Sequence, residues 1–195
     1  NLSKIFTDFD VFYSFYKNKS IVVTGTNGKS TTAKILHEVL MGQKYDSRLI
    51  GNIGNPALSE KQITKKTIFV IEASSYQLDY SKIFTSKYAL ILNITPDHLE
   101  RHKNLKNYVN AKFKLLDSQT NKSIALVKEN DPLISKALNK GKFKQKIIKV
   151  DTLKNYKIYD QLKNQYFLSF GNRENLSFIL TISRILKLDT KQLLH

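Results

Sequence analysis

A glycine-rich turn between a short apolar run and an amphipathic helix constrains this chain more than any other feature of its sequence. The apolar run covers 20–23, the turn reads Thr24-Gly-Thr-Asn-Gly-Lys-Ser-Thr31, and helical periodicity extends over 29–41. Backbone N–H groups of such a turn point at one spot, where the helix N-terminus adds partial positive charge. Lys29 can reach a terminal phosphate, and the Ser30 hydroxyl can bind Mg²⁺. These residues predict a site for a nucleoside triphosphate.

The turn matches the general phosphate-loop pattern GxxxxGK[ST] only in part, because the first glycine of that pattern would fall at Val23. The sequence contains the shorter Gly25-x-x-Gly28-Lys29-Ser30. Short turns of this kind also arise by chance and then join a strand to a helix without binding anything. Here the apolar strand before the turn and the amphipathic helix after it favour phosphate binding.

Apolar, strand-like runs alternate with helical periodicity along the chain. The strand-like runs are 20–24, 67–72, 88–94, 123–127 and 146–150, and the helical patterns are 29–41, 104–118, 131–139 and 175–187. This alternation predicts an α/β fold whose mostly parallel sheet carries helices on both faces. A small β-hairpin is predicted over 155–169. Ligands of open α/β sheets bind beyond the carboxyl ends of the strands, so residues that follow the strands are candidates for a site.

The charge of the chain raises the question of a nucleic-acid partner. The 195 residues carry a net charge of +16, with 41% hydrophobic and 25% charged residues, which is a globular composition. Only four basic residues are arginine, and the lysines are spread over the whole length. Aromatic and basic residues do not interleave as they do on RNA-binding surfaces. We therefore interpret the charge as mostly background and expect no nucleic-acid partner.

Three further absences in the sequence limit the classes of protein. The chain has no cysteine, which excludes disulfides and thiolate metal sites. Charged residues within the first 20 positions exclude the core of a signal peptide. No apolar run approaches the length of a membrane span. We expect a cytoplasmic protein without a membrane partner.

Polar side chains follow two of the predicted strands. Glu72 ends the second strand, and a carboxylate at the tip of a buried strand is costly unless it pairs with a cation. In phosphate-loop proteins such an acid commonly holds the Mg²⁺ that the loop hydroxyl also touches, although a strand-end glutamate can simply reach solvent. His98 lies beyond the third strand. A functional role for this histidine would need a second residue beside it, for which Lys112 is a candidate. Asn52, in the turn-rich loop 51–58, could present its amide to an anionic or amide-bearing ligand.

Five segments of the chain resemble, in order and approximate spacing, the motifs of the Mur ligase family. They are Thr24-Gly-Thr-Asn-Gly-Lys-Ser-Thr-Thr, Gly51-Asn-Ile-Gly, Glu72-Ala-Ser-Ser-Tyr-Gln-Leu, Asn93-Ile-Thr-Pro-Asp-His-Leu and Tyr108-x-x-Ala-Lys112. The similarity runs from about Thr7 to about Leu188. The resemblance is greatest to the members that add D-glutamate to UDP-N-acetylmuramoyl-L-alanine in peptidoglycan synthesis. It implies a P-loop-like, ATP-dependent amide ligase that works through an acyl phosphate.

The resemblance also implies roles for individual residues. The implied ATP-binding residues are Gly25, Thr26, Asn27, Gly28, Lys29, Ser30, Thr31 and, at the adenine, Asn175. Ser30 and Glu72 would hold the first of two Mg²⁺ ions. His98 and a carbamylated Lys112 would hold the second, and Lys29 joins these two as the implied catalytic residues. Asn52 and Gln77 would orient the sugar-peptide substrate.

The chain departs from the family pattern close to Asn175. Glu174 stands in place of the usual histidine before this asparagine, and Phe178 replaces a second asparagine. A third departure is Glu100, where an aspartate is usual after Asp-His-Leu.

The resemblance implies that the chain is the central part of a longer enzyme. Residues 20–188 would be the ATP-binding domain, 1–19 a connector from a preceding domain, and 189–195 the start of a link to a following domain. We expect a monomer with small-molecule substrates. One alternative is another ligase of this fold, such as a folylpolyglutamate synthetase. The other is a basic nucleic-acid-binding module whose phosphate loop is incidental.

Overall fold

A six-stranded sheet forms the centre of the computed structural model, which describes residues 6–154, Tyr159, Phe167 and 169–190. The strands are β1 (Ser20–Thr24), β2 (Ser47–Gly51), β3 (Ile68–Glu72), β4 (Tyr88–Ile91), β5 (Ile124–Lys128) and β6 (Lys146–Val150). Their order in the sheet is β2-β3-β1-β4-β5-β6, and all neighbouring pairs are parallel. The predicted α/β fold is confirmed. All carboxyl ends of the strands therefore lie at one edge of the sheet.

Helices cover both faces of this sheet. They are α1 (Asp8–Phe15), α2 (Lys29–Gly42), α3 (Ser75–Tyr80), α4 (Leu99–His102), α5 (Leu105–Asp117), α6 (Pro132–Lys140) and α7 (Phe170–Leu186), with a short 3-10 helix at Ala57–Ser59. Ile21 and Val23 of β1 belong to the core cluster that includes α2 and α7. Val22, which points the other way, belongs to the cluster that includes α1, α5 and α6. Because β1 is buried on both faces, it is apolar at successive positions.

The structure adds elements that the sequence patterns did not predict. The strand β2 was missed because Ser47–Gly51 contains Arg48, is only partly buried and lies at the edge of the sheet. Helix α7 begins at Phe170, five residues before the predicted start at 175. The hairpin predicted over 155–169 falls almost wholly outside the described residues. Among the helices described, none is long and apolar enough to cross a membrane.

Helix α1 lies within the segment predicted as a connector, and it packs into the core. Phe9 and Phe12, on one face of this helix, are buried. The Asp10 carboxylate accepts hydrogen bonds from the backbone N–H groups of residues 82–84, at 2.9–3.0 Å. Thr7 caps the helix in a reciprocal bond pair with Asp10. These contacts hold α1 against the loop before β4, and the role of 1–19 as a connector stays a prediction.

Candidate functional site

The glycine turn between β1 and α2 adopts backbone conformations that favour glycine. Gly28 has φ of +82° and Gly25 has φ of +152°. A Cβ atom on Gly28 would lie 2.1 Å from the side-chain oxygen of Asn175, which packs directly against the turn. Helix α2 starts at Lys29 without a side-chain cap, so no side-chain oxygen offsets the positive end of its dipole. The turn is thus suited to bind an anion.

Residues after β4 hold this turn in shape. The N–H of Thr26 donates to the Asn93 carbonyl at 3.0 Å, and the N–H of Asn27 donates to the Asn93 side-chain oxygen at 2.8 Å. The N–H of Thr95 donates to the Thr26 hydroxyl oxygen at 3.0 Å. The Thr26 hydroxyl also lies 3.0 Å from the Tyr108 hydroxyl of α5. Because these bonds come from two other elements, the shape of the turn depends on the tertiary structure.

The loop that holds the turn is itself anchored by Asp131. This buried carboxylate caps α6 through the N–H groups of Leu133 and Ile134. Its second oxygen accepts from the N–H of Ile94, at 2.9 Å, between the two residues that bond the turn. Asp131 therefore connects the start of α6 to the glycine turn through one residue, Ile94.

Two lysines meet the turn from different directions. Lys29 donates from Nζ to the Thr26 carbonyl at 2.8 Å, so its ammonium group lies across the turn. Lys112, on α5, is only 2% exposed and donates from Nζ to the Gly25 carbonyl at 2.8 Å. Burial, together with the positive charge of Lys29, lowers the pKa of Lys112 to about 7, and Asp97 opposes the shift. A large fraction of the Lys112 amine is therefore neutral, and nucleophilic, near neutral pH.

Glu72 provides a buried carboxylate at the same edge. It ends β3 beside Val23 of β1 and is 1% exposed. Its Oε1 accepts from the side-chain amide of Asn52 at 2.9 Å. Its Oε2 is buried without a hydrogen-bond partner among the described residues. An unpaired carboxylate oxygen of this kind is unfavourable in an apolar interior, and a bound cation would remove the cost.

His98 lies at the exposed rim of the same edge. It precedes α4 in a left-handed conformation, with φ of +51°. Its Nε2 is 3.3 Å from Asp97 and its Nδ1 is 3.8 Å from Glu100. A series of ring contacts, 5.1–5.4 Å between centroids, leads from His98 through Tyr76 and His102 to Tyr108. Since Lys112 lies 4.6 Å from the centroid of the Tyr108 ring, this series joins the regions of His98 and Lys112.

The described residues contain no cluster of three His, Cys, Asp or Glu side chains that could hold a metal by itself. The predicted ligand sets do not require such a cluster, because they include the hydroxyl of Ser30 and a modified Lys112. Ser30 is exposed in the first turn of α2. Among the predicted metal ligands, Glu72 has direct structural support for a bound cation, because its Oε2 has no hydrogen-bond partner among the described residues.

Asn52 and Gln77, predicted to orient a substrate, both bond to neighbouring protein groups. Asn52 holds Glu72, as described above. Gln77 completes the capping box of α3 by accepting from the N–H of Ser74 at 3.1 Å. Asn52 lies beside the end of β3, and Gln77 lies in α3, the helix that follows this strand. Their predicted substrate contacts stay predictions.

A cavity of about 420 Å³ opens between the turn and the first residues of α7. The turn contributes Asn27, Gly28 and Thr31 to its lining. The lining also includes Asn175, Glu174 and Lys128, the last residue of β5. Lys128 and Glu174 form an ion pair here, with side chains 18% and 13% exposed. Asn175, which is predicted to contact adenine, thus lies in a cavity beside the glycine turn.

Several residues of this site were not assigned by the sequence patterns. Asn93, Thr95 and Tyr108 occur within motifs that were noted but had no separate role. Asp131 had a local signal, since an aspartate before a proline is typical of a helix start. Its bond to Ile94 had none, because it joins residues 37 positions apart. The pairing of Lys128 with Glu174 is likewise visible only in the tertiary structure.

Comparisons with known sequences show which proteins this chain is similar to. The family model described as "Mur ligase middle domain" matches residues 23–189. The chain is 33% identical, over 98% of its length, to the UDP-N-acetylmuramoylalanine–D-glutamate ligase of Rickettsia bellii. It is 44% identical, over 65% of its length, to the ligase of the same name from Rickettsia prowazekii. The chain spans 47% and 28% of the length of these two relatives.

Solved structures show the same fold at low sequence identity. The UDP-N-acetylmuramate:L-alanyl-gamma-D-glutamyl-meso-diaminopimelate ligase from Neisseria meningitides matches 91% of this chain with a TM-score of 0.69 and 15% identity, over 64% of its own chain. The MurF ligase from Thermotoga maritima, solved in complex with ADP, matches 95% with a TM-score of 0.66 and 15% identity, over 50% of its own chain. At this identity the likeness concerns the fold alone.

Proposed function

The chain belongs to the Mur ligase family, and on that premise we propose that it is the ATP-binding middle part of a D-glutamate-adding ligase. The full enzyme would join D-glutamate to UDP-N-acetylmuramoyl-L-alanine during peptidoglycan synthesis. The names of the relatives favour this substrate over the folate substrate of the first alternative. They give no support to the second alternative, a nucleic-acid-binding module.

One observation carries the proposal. The glycine turn, a buried carboxylate with an unpaired oxygen and a buried lysine of lowered pKa lie at the same edge of a parallel sheet. Each of the two buried groups is costly for folding on its own. Divalent cations bound with a nucleoside triphosphate would pair with the Glu72 carboxylate, and carbamylation would make Lys112 a further anionic ligand for them.

In the reaction, ATP transfers its terminal phosphoryl group to the carboxylate of the nucleotide-linked alanine and releases ADP. The amine of D-glutamate then attacks the acyl carbon, loses a proton, and inorganic phosphate leaves. Lys29 and the backbone of residues 25–31 are assigned to the phosphates, and Asn175 to the adenine. Lys29 compensates negative charge on the transferred phosphoryl group. Asn52 and Gln77 are assigned to the sugar-peptide, which requires that their present bonds rearrange or are shared.

The residues fit two Mg²⁺ ions. Glu72 and Ser30 would hold the first, and the unpaired Glu72 oxygen supports this assignment. His98 and a carbamylated Lys112 would hold the second. Bound Mg²⁺ would reduce the repulsion between the triphosphate and the incoming carboxylate.

Carbamylation of Lys112 is supported by its surroundings. Carbon dioxide reacts with a neutral amine, and the pKa of Lys112 is lowered to about 7. The reaction forms an N–C bond, releases one proton and converts the side chain into an anion. That anion would place a negative charge beside Lys29 and supply an oxygen ligand of the type that Mg²⁺ prefers. The catalytic residues of the proposal are therefore Lys29, His98 and Lys112.

The proposal extends to the setting of the enzyme. Residues 20–188 would form its middle domain, with 1–19 and 189–195 leading to the parts on either side. The cytoplasm is the proposed compartment, since ATP and nucleotide-linked precursors are found there. A monomeric state stays a prediction.

Calorimetric titration of the protein with ATP, with and without Mg²⁺, tests the proposal. Lys29→Ala is expected to weaken ATP binding roughly tenfold or more, because a charged hydrogen bond to phosphate is lost. Glu72→Gln is expected to reduce the gain in affinity that Mg²⁺ provides. Lys34→Ala, which changes an exposed lysine of the same helix, is the matched control. Failure of the unsubstituted protein to bind ATP under both conditions would refute the nucleotide site.

The full-length enzyme tests the substrate. Phosphate release that requires both UDP-N-acetylmuramoyl-L-alanine and D-glutamate is the expected result. Release with another amino acid in place of D-glutamate, but not with D-glutamate, would contradict the assignment.

A further inference from the structure

The ion pair between Lys128 and Glu174 lies in the cavity beside the phosphate turn and has no part in the steps described so far. Lys128 is the last residue of β5, and Glu174 lies in the second turn of α7. Oε1 of Glu174 accepts from Lys128 and, at 3.4 Å, from the Thr152 hydroxyl. Three separate segments thus fix the orientation of one carboxylate at the wall of the cavity.

The second oxygen of Glu174 is left for a ligand. Oε2 makes no hydrogen bond with the residues that the structure describes, although Oε1 has two donors. An ionised carboxylate only accepts hydrogen bonds, so it selects a ligand group that donates one. The groups of this kind in adenosine are the ribose hydroxyls and the exocyclic amine of the base.

Lys128 also offsets the negative charge of Glu174. A lone carboxylate in the cavity that receives a triphosphate would repel it. Because Lys128 pairs with Glu174, the two side chains together add no net charge to the cavity wall. The carboxylate can then recognise an uncharged donor without weakening phosphate binding.

The position of the pair indicates which part of the ligand it meets. Phosphates at the turn would lie next to Gly28, against which Asn175 packs. Glu174 is the neighbour of Asn175 on α7, and both line the cavity together with Asn27 and Thr31 of the turn. A nucleotide whose phosphates occupy the turn would extend its nucleoside into this cavity.

We propose that Glu174, oriented by Lys128, accepts a hydrogen bond from the nucleoside part of the bound nucleotide and determines which nucleosides are accepted. The proposal rests on the proposed function, since it requires a triphosphate at the turn. It goes further by assigning a specificity-determining residue that touches the nucleoside and a positioning residue that acts through it.

Affinities for a set of ligands test this assignment. Titration calorimetry would measure ATP, 2′-deoxyATP, 3′-deoxyATP, inosine triphosphate and inorganic tripolyphosphate. The three nucleotide analogues each lack one donor, and tripolyphosphate lacks the nucleoside. The unsubstituted protein is expected to bind ATP about tenfold more tightly than the analogue that lacks the recognised donor. The identity of that analogue distinguishes ribose from base.

Glu174→Met removes the acceptor and retains the length of the side chain. It is expected to reduce this preference to about one without weakening tripolyphosphate binding, because Lys128 then lacks its counter-charge and adds positive charge to the cavity wall. Glu174→Gln keeps one acceptor oxygen without the charge and is expected to retain part of the preference, which provides a second test if the methionine variant does not fold. Glu38→Met makes the same change at an exposed position of α2 and is expected to alter no affinity.

Four outcomes would overturn the inference. If Glu174→Met leaves the preference unchanged, Glu174 does not contact the nucleoside. If it weakens ATP and tripolyphosphate equally, Glu174 acts on the turn or the fold. If the unsubstituted protein binds ATP and tripolyphosphate but discriminates against none of the analogues, the inference fails while the nucleotide site stands. If it binds neither ligand, the proposed function fails as well.

Discussion

Replacing Lys112 by methionine should raise the free energy of unfolding near neutral pH, although this residue lies in the centre of the candidate site. Lys112 is 2% exposed, and burial lowers its pKa from 10.5 to about 7. Below about pH 7 the folded protein must hold Lys112 as a buried ammonium group. Methionine has a similar length and carries no charge, so it removes this requirement.

The size of the effect follows from the pKa and the contacts. The difference between the two pKa values corresponds to ~5 kcal/mol for the charged form, as an upper bound. The substitution also removes the donor to the Gly25 carbonyl, at a cost of about 1–3 kcal/mol. It removes the contact of the ammonium with the Tyr108 ring, worth roughly 0.5–1 kcal/mol. A net stabilisation of about 2 kcal/mol at about pH 6 is therefore expected.

The sign of the pH dependence is opposite to that of a lysine in a salt bridge. The folded-state pKa lies below the unfolded value, so the unfolded chain binds more protons between about pH 7 and 10.5. The unsubstituted protein should gain stability as the pH rises through this range, because the penalty for the charge disappears. The methionine variant lacks this gain, and its advantage should vanish and reverse by about pH 10.

Urea denaturation in buffers free of carbon dioxide, from about pH 6 to 10, measures both effects. Lys106→Met, at an exposed lysine of the same helix, is the control and should change stability by less than about 0.5 kcal/mol. An unsubstituted protein more stable than Lys112→Met at about pH 6 would refute the reasoning, and so would a difference independent of pH.

Two further predictions concern groups with shifted pKa values. Equilibration of the protein with ¹³C-bicarbonate at about pH 7.5 should produce a carbamate signal in ¹³C NMR, because roughly half or more of the Lys112 amine is then neutral. The signal should be absent from Lys112→Met. A carbamate signal that persists in the variant would assign it to another amine. Burial raises the pKa of Asp10, but backbone N–H groups of residues 7 and 82–84 lower it more, so the net pKa is below its usual value. Stability from this carboxylate is therefore present above about pH 4 and lost as the pH falls further, and Asp10→Asn should cost roughly 2–3 kcal/mol at neutral pH and flatten the acid dependence in urea denaturation. Parallel acid profiles for the two proteins would contradict this account.

The sequence patterns located most of the fold and several residues that lie at the carboxyl edge of the sheet. Strand periodicity and helical periodicity depend on neighbours two to four positions apart, so they are readable along the chain. The patterns located β1, β3, β4, β5 and β6, and the turn before α2 was recognised from its glycines and Lys29. Ligands of open α/β sheets bind beyond the carboxyl ends of the strands, and this rule also directed attention to Glu72 and His98.

The patterns were weaker where an element depends on its surroundings. Strand β2 is held by pairing with β3, and its own residues Ser47–Gly51 carry little periodicity. Helix α1 is held by the buried Phe9 and Phe12 and by the bonds of Asp10 to residues 82–84, more than 70 positions away. Sequence alone contains no local sign of such contacts.

By itself, then, the sequence determined the order of five strands and four helices along the chain, the glycine turn and the family to which the motifs belong. The tertiary structure decided which groups are buried and which atoms meet. It produced the lowered pKa of Lys112, the unpaired oxygen of Glu72, and the Lys128–Glu174 pair. The physical reason is that desolvation and hydrogen bonding depend on distances between residues far apart in the chain, and these distances exist only after the chain has folded.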